Sequence, residues 1–185
     1  MRAGIAAVCL IAFLTGCASG YDGVLWRQVD RQESVAYELI DRARMQMATQ
    51  DEFVASLRAS PLFWDGLSQT VPLTAGEAGT VVYDVDDTAR DGYGYPVVSY
   101  DVLVSSGMRP DGLPRDDPAR GSGGPYFGPP LIYTCYRVAV TFADDTIQGW
   151  QRSSDLLPEL LECPQPLVDA LGGGAQYQEP GEFDG

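Results

Sequence analysis

The chain has 185 residues, of which 26 are acidic and 12 basic, and with no histidine its formal charge is −14. That balance argues against nucleic acid as a partner and against direct attraction to anionic lipid headgroups, since both need a basic surface. Every basic residue is arginine. Histidine-based nucleophile systems, lysine Schiff bases, Ser-Lys dyads and the phosphate-loop lysine are therefore excluded, and acid–base chemistry falls to carboxylates or tyrosine.

At the N-terminus one basic residue, Arg2, precedes an apolar run from Ile5 to Leu14 that ends in small residues, the pattern of a secretory signal. A run of about ten residues is too short for a stable span, which takes roughly 20. Leu14-Thr15-Gly16-Cys17 resembles the lipobox of bacterial lipoproteins. The resemblance implies that residues 1–16 are a signal peptide, that Cys17 becomes the lipidated N-terminus, and that the chain is extracytoplasmic and lipid-anchored to the bacterial cell membrane. The competing reading is an ordinary cleavable signal with an incidental cysteine. Cleavage removes Arg2 and no acid, so the mature chain is more acidic still. Residues 17–28 then read as a tether, and residues 29–171 are long enough for one domain with its own core.

The first element of that domain is a helix from about Asp30 to Ala48, where Val29, Ala36, Ile40, Ala43 and Met47 recur at helical spacing against a polar side of Arg31, Glu33, Asp41, Arg42 and Arg44. Thr49 and Glu52 fit a capping box that starts a second short helix carrying Phe53, Val54 and Leu57, which Pro61 stops. The period then changes to two. Val81, Tyr83 and Val85 alternate with Val82, Asp84 and Asp86, and Val98, Tyr100, Val102 and Val104 with Ser99, Asp101, Leu103 and Ser105. These are half-buried strands, joined through Asp91-Gly92-Tyr93-Gly94-Tyr95-Pro96. Residues 107–130 hold six glycines and six prolines and form a long loop, either a disordered insertion or a binding loop carrying Tyr126 and Phe127. A third strand, about Leu131 to Phe142, places Ile132, Tyr136, Val138, Val140 and Phe142 on one face and Cys135 with Arg137 on the other. A fourth follows Asp144-Asp145 and runs through Trp150. Residues 172–185 read as a flexible acidic tail. Helices first and a meander after them predict an α+β fold, with the N-terminal helices packed on one face of a four-stranded antiparallel sheet.

Cys9 leaves with the signal and Cys17 takes lipid, so Cys135 and Cys163 remain as an even pair in an oxidising compartment and are expected to form one disulfide. A loop of that size stabilises by about 3.6 kcal/mol on the chain-entropy estimate. A zinc site is the competing reading, but two thiols without histidine leave it short of nitrogen and sulfur ligands.

Val81-Val82-Tyr83-Asp84-Val85-Asp86-Asp87-Thr88 resembles the first motif of haloacid-dehalogenase-type phosphatases. Val102-Leu103-Val104-Ser105 is similar to that family's second motif, and Phe142-Ala143-Asp144-Asp145 to its metal-binding motif. The resemblance implies Asp84 as nucleophile, Asp86 as acid/base, Ser105 as phosphate ligand and Asp144 or Asp145 as magnesium ligand. The family's lysine is missing, and Arg109 or Arg137 would have to replace it. The short Gly- and Tyr-rich turn after Asp86 predicts antiparallel neighbours, whereas the phosphatase fold needs parallel strands with long crossovers. A solvated strand face is the other reading of Asp84 and Asp86. A calcium site of Asp84, Asp86, Asp87 and Asp91 is a third, although the spacing departs from an EF-hand loop. No catalytic residue, cofactor or metal is assigned. The expected function is that of a non-enzymatic binding or structural module, attached to the membrane through Cys17 and facing an envelope protein partner.

Overall fold

The computed structural model of the chain describes residues 22–116, 123–152 and 161–180. The expected signal peptide and Cys17 lie outside the described residues. The elements in order are α1 Gly23–Gln46, α2 Gln50–Arg58, β1 Gly79–Asp86, β2 Val97–Ser105, β3 Leu131–Ala143, β4 Thr146–Arg152, α3 Gln165–Leu171 and β5 Ala175–Tyr177.

Helix α1 begins inside the stretch expected to be a tether. Asp22 is its N-cap, with its side chain accepting a hydrogen bond from the Val24 backbone N–H at 2.8 Å. Leu25 and Trp26 then extend the buried stripe of Val29, Ala36, Ile40 and Ala43 by a further turn. The stripe is interrupted at Gln32 and Glu33, where polar groups face polar groups. The Thr80 hydroxyl donates to the Gln32 carbonyl at 2.8 Å, and Arg152 pairs with Glu33 at 2.5 Å. Met47, expected on the buried stripe, instead closes α1 in the left-handed conformation with its side chain exposed, because the helix ends one residue before it, and the capping box of Thr49 and Glu52 starts α2 directly afterwards.

Strands β1 to β4 form an antiparallel meander in the order β1-β2-β3-β4. Helices α1 and α2 cover one face, where Val82, Val98, Tyr100, Val102, Tyr136, Val138, Val140 and Phe142 meet the helical stripe and Phe53. The α+β arrangement is as expected. The β3–β4 hairpin turns on Asp144 and Asp145, both at positive φ (49° and 57°) between the paired residues Ala143 and Thr146. Two-residue hairpin loops favour that left-handed pair because its twist matches the strands.

In the sheet, three features depart from the sequence expectation. First, β1 does not keep a strict period of two. Tyr83 pairs with Asp101 and Asp86 with Ser99, so Asp84 and Val85 share the space opposite Tyr100, with Asp84 at φ 50°. This bulge returns Val85 to the helix-covered core, away from Val81 and Tyr83. Second, part of the other sheet face is also covered. Trp64, Leu167 and Leu171 pack there on Val81, Tyr83, Leu103, Leu131 and Cys135. Third, the expected tail contains β5, which pairs in parallel with Leu131–Tyr133 as a fifth strand, the Tyr177 and Tyr133 rings lying 5.8 Å apart. The Cys135–Cys163 disulfide is present, with Cα atoms 5.6 Å apart, and ties the approach to α3 onto this second face.

Candidate functional site

Register decides which of the aspartates meet. Ser105 pairs with Gly79 at one end of β1, whereas Asp84 and Asp86 lie toward the other end, opposite Asp101 and Ser99. Ser105 is fully buried, and its hydroxyl points to the Gly79 carbonyl at 3.5 Å. Asp144 and Asp145 occupy the β3–β4 turn, with β2 between their strand and β1. The structure therefore does not assemble Asp84, Ser105 and Asp144 into one site. The physical cause is the meander, since antiparallel neighbours send successive strand ends to opposite edges.

The individual carboxylates have local partners. Asp86 accepts from the Thr88 backbone N–H at 2.9 Å and from its hydroxyl at 2.7 Å, and these bonds hold its carboxyl below the ordinary value. Asp91 accepts from the backbone N–H groups of Tyr93 and Tyr95, both at 2.9 Å, and so builds its own turn. Asp87 is held through its backbone, whose carbonyl accepts from the Gln50 side-chain amide at 2.9 Å. Among the described residues no group of three potential ligands is placed to hold a metal ion.

Of the two arginines considered as charge partners, only Arg137 reaches the cluster. Its Nε donates to Asp101 Oδ1 at 2.6 Å and its Nη2 to Asp101 Oδ2 at 3.0 Å and to Asp84 at 3.2 Å. Tyr83, Asp101 and Arg137 form one row across β1, β2 and β3. Asp101 is buried, which pushes its carboxyl up against the opposing pull of Arg137. This two-pronged pair seats a buried charge in the sheet, with both oxygens satisfied.

Arg109 lies elsewhere, and it organises the Gly- and Pro-rich loop. Its side chain is buried and its Nε donates to the fully buried carboxylate of Asp22, the N-cap of α1. Nη1 donates to the Leu113 carbonyl at 3.0 Å and Nη2 to the Pro114 carbonyl at 2.8 Å. The guanidinium also stands over the Tyr126 ring, 4.2 Å from its centroid. Tyr126 donates in turn to the Pro129 carbonyl at 2.7 Å, and burial followed by the nearby Asp22 charge pushes its phenol up to about 12. A side chain at Gly128 would collide with the Tyr126 ring. Main-chain bonds complete the attachment: Arg109 N–H donates to the Pro130 carbonyl and Gly23 N–H to the Asp116 carbonyl. Arg27 also meets the Asp116 carboxylate at 2.5 Å.

The loop thus folds around one buried cation and is fastened to the first turn of α1. Between its two limbs lies an open cavity of about 570 Å³, lined by Arg109, Pro110, Leu113, Pro125, Tyr126 and Pro130. Its walls offer prolines, an aromatic ring, the single carboxylate of Asp111 and a guanidinium already engaged by Asp22 and two carbonyls. Helical periodicity and strand alternation carry no signal for the Asp22–Arg109 pair, because its members are 87 positions apart and one lies in a loop. A local signal did exist for Asp22, an aspartate directly before Gly23-Val24-Leu25, but the tether reading of residues 17–28 passed over it.

No family model, curated protein or solved structure matches this chain.

Proposed function

We propose that the chain is exported, cleaved before Cys17 and held on the bacterial cell envelope by lipid on that cysteine, where it serves as a non-enzymatic binding or structural module. The observation that carries the compartment is the Cys135–Cys163 bond. It pairs the two cysteines left once Cys9 and Cys17 are assigned to signal and lipid, and such bonds persist in oxidising compartments. No helix among the described residues is long and apolar enough to cross a membrane, so in this reading attachment falls to the lipid. One acyl chain holds a protein only marginally, and the two or more that lipoprotein processing supplies hold it stably.

The module reading is supported by how the polar groups are used. Asp22 with Arg109, Asp101 with Arg137 and Glu33 with Arg152 each join distant segments of the chain. Their roles are structural, and the carboxylates named by the phosphatase resemblance stand apart. In this reading the partner is an envelope protein, since the acidic surface repels nucleic acid.

Metabolic labelling with an alkyne fatty acid tests the anchor. The wild-type protein should carry label and sediment with membranes, whereas Cys17→Ser should carry none and either become soluble or retain its signal. Label and membrane attachment that survive in Cys17→Ser would overturn the proposal.

A further inference from the structure

We propose that the loop surface around Arg109, formed by residues 108–116 and 123–130, rests on the lipid bilayer that holds Cys17, with Phe127, Leu113 and Met108 entering the interface. The inference rests on the lipid-anchor reading above and adds an orientation to it.

The first observation is reach. Cys17 is five peptide steps from Asp22, the N-cap of α1. A fully extended chain covers at most about 3.6 Å per residue, so Asp22 stands no further than roughly 18 Å from a lipidated Cys17. Whatever surrounds Asp22 is therefore held within about that distance of the anchored cysteine.

What surrounds Asp22 is the loop. Arg109 bonds the Asp22 carboxylate, Leu113 and Pro114 cap the same guanidinium through their carbonyls, and Tyr126 lies against it. Phe127 follows Tyr126 with 90% of its surface exposed, and Met108 and Leu113, either side of the hub in sequence, are exposed by 48% and 42%. One large apolar side chain almost wholly exposed and two about half exposed thus lie on one fastened segment and present apolar area to water. Helix α1 leads away from this end. Its 24 residues span about 36 Å at 1.5 Å each, and the exposed Met45 lies at the far end.

Charge decides the manner of contact. Arg109 is buried against Asp22, and the remaining cation of these residues, Arg115, is outnumbered by Asp111 and Asp116, so anionic headgroups find no basic surface here. Apolar insertion remains, weak alone but favoured by the high local concentration that a short tether imposes. The ion pair, the prolines and the Tyr126 contacts hold the loop in shape beforehand, which limits the ordering cost of insertion.

The test uses mature protein purified from membranes, with lipid on Cys17 read by intact mass, and reconstituted in phosphatidylcholine vesicles with brominated acyl chains. Phe127→Trp and Met45→Trp are each compared with the parent and its three tryptophans. Emission added by Phe127→Trp should shift to the blue and be quenched by bromine, while that added by Met45→Trp should do neither. Equal behaviour of the two variants on acylated protein would overturn the orientation and favour a protein or a second copy on this surface. An unmodified Cys17 would overturn the anchor reading. The same variants, coupled at that thiol to a maleimide phospholipid, would then judge the surface by the same contrast.

Discussion

Arg109 shows how one residue can set the conformation of a segment with no regular secondary structure. Six prolines in residues 107–130 remove backbone donors, and the main-chain bonds between the limbs are those of Arg115 with Gly123 and Gly124 and of Arg109 with Pro130 among the described residues. A buried guanidinium with five fixed donors substitutes, collecting the carbonyls of Leu113 and Pro114 and the Asp22 carboxylate across the fold. Such a pair is costly to break from one side, because the surviving charge stays buried without compensation. Arg109→Met should therefore lower stability by about 3–5 kcal/mol in urea unfolding. The double change Asp22→Asn with Arg109→Met should recover part of that loss, since neither charge is then stranded. If Arg109→Met costs as little as a surface substitution, within about 0.5 kcal/mol, the pair does not fasten the loop.

Helix α2 shows what a short local signal can do. Thr49 and Glu52 were legible as a capping box because the motif involves only residues within one turn. The structure realises it reciprocally: the Thr49 backbone N–H donates to Glu52 at 2.9 Å, and the Thr49 hydroxyl accepts from the Glu52 backbone N–H at 3.3 Å. The bonds from Thr49 hold the Glu52 carboxyl below its ordinary value of 4.5. A carboxyl depressed in the folded state stabilises fully above its unfolded value, and that contribution disappears as the pH falls through the folded value. Melting temperatures at about pH 6 and about pH 3 bracket this window. Thr49→Ala should lower the melting temperature at the higher pH and have a smaller effect at the lower one. An equal loss at both would remove Glu52 from the account. Strand β1 teaches the opposite lesson. Alternation placed Val85 with Val81 and Tyr83, and the extra residue at Asp84 reversed it, because a bulge is a property of the pairing with β2.

Across the whole molecule, the sheet divides the core into two unequal parts. The helix-covered face is filled by α1 and α2 and is continuous along β1 to β4. The second face is smaller, and its cover of Trp64, Leu167 and Leu171 comes from short segments that have little stability of their own. The Cys135–Cys163 bond joins that cover to β3. Removing it by Cys135→Ala with Cys163→Ala should cost roughly 2–5 kcal/mol, as in other small secreted domains. Hydrogen exchange should rise first in α3 and β5, while β2 and the central part of β3 stay protected. Uniform acceleration throughout the sheet would show that the second face is not a separable layer.

By itself the sequence determined the α+β class, the two N-terminal helices, the four-strand meander and the disulfide partners. Each follows from a local period, a cap, a short turn or a parity count. Val98, Tyr100, Val102 and Val104 share the helix-covered face as their alternation required, because β2 contains no extra residue. The tertiary structure alone decided the bulge at Asp84, the fifth strand, the cover of the second face and the Arg109 hub. It also separated Ser105 from Asp84, although both belong to segments that resemble phosphatase motifs. All of these depend on groups brought together from distant positions in the chain, and a buried charge or an unpaired strand edge finds its partner by position in space, which a local pattern of residues does not encode.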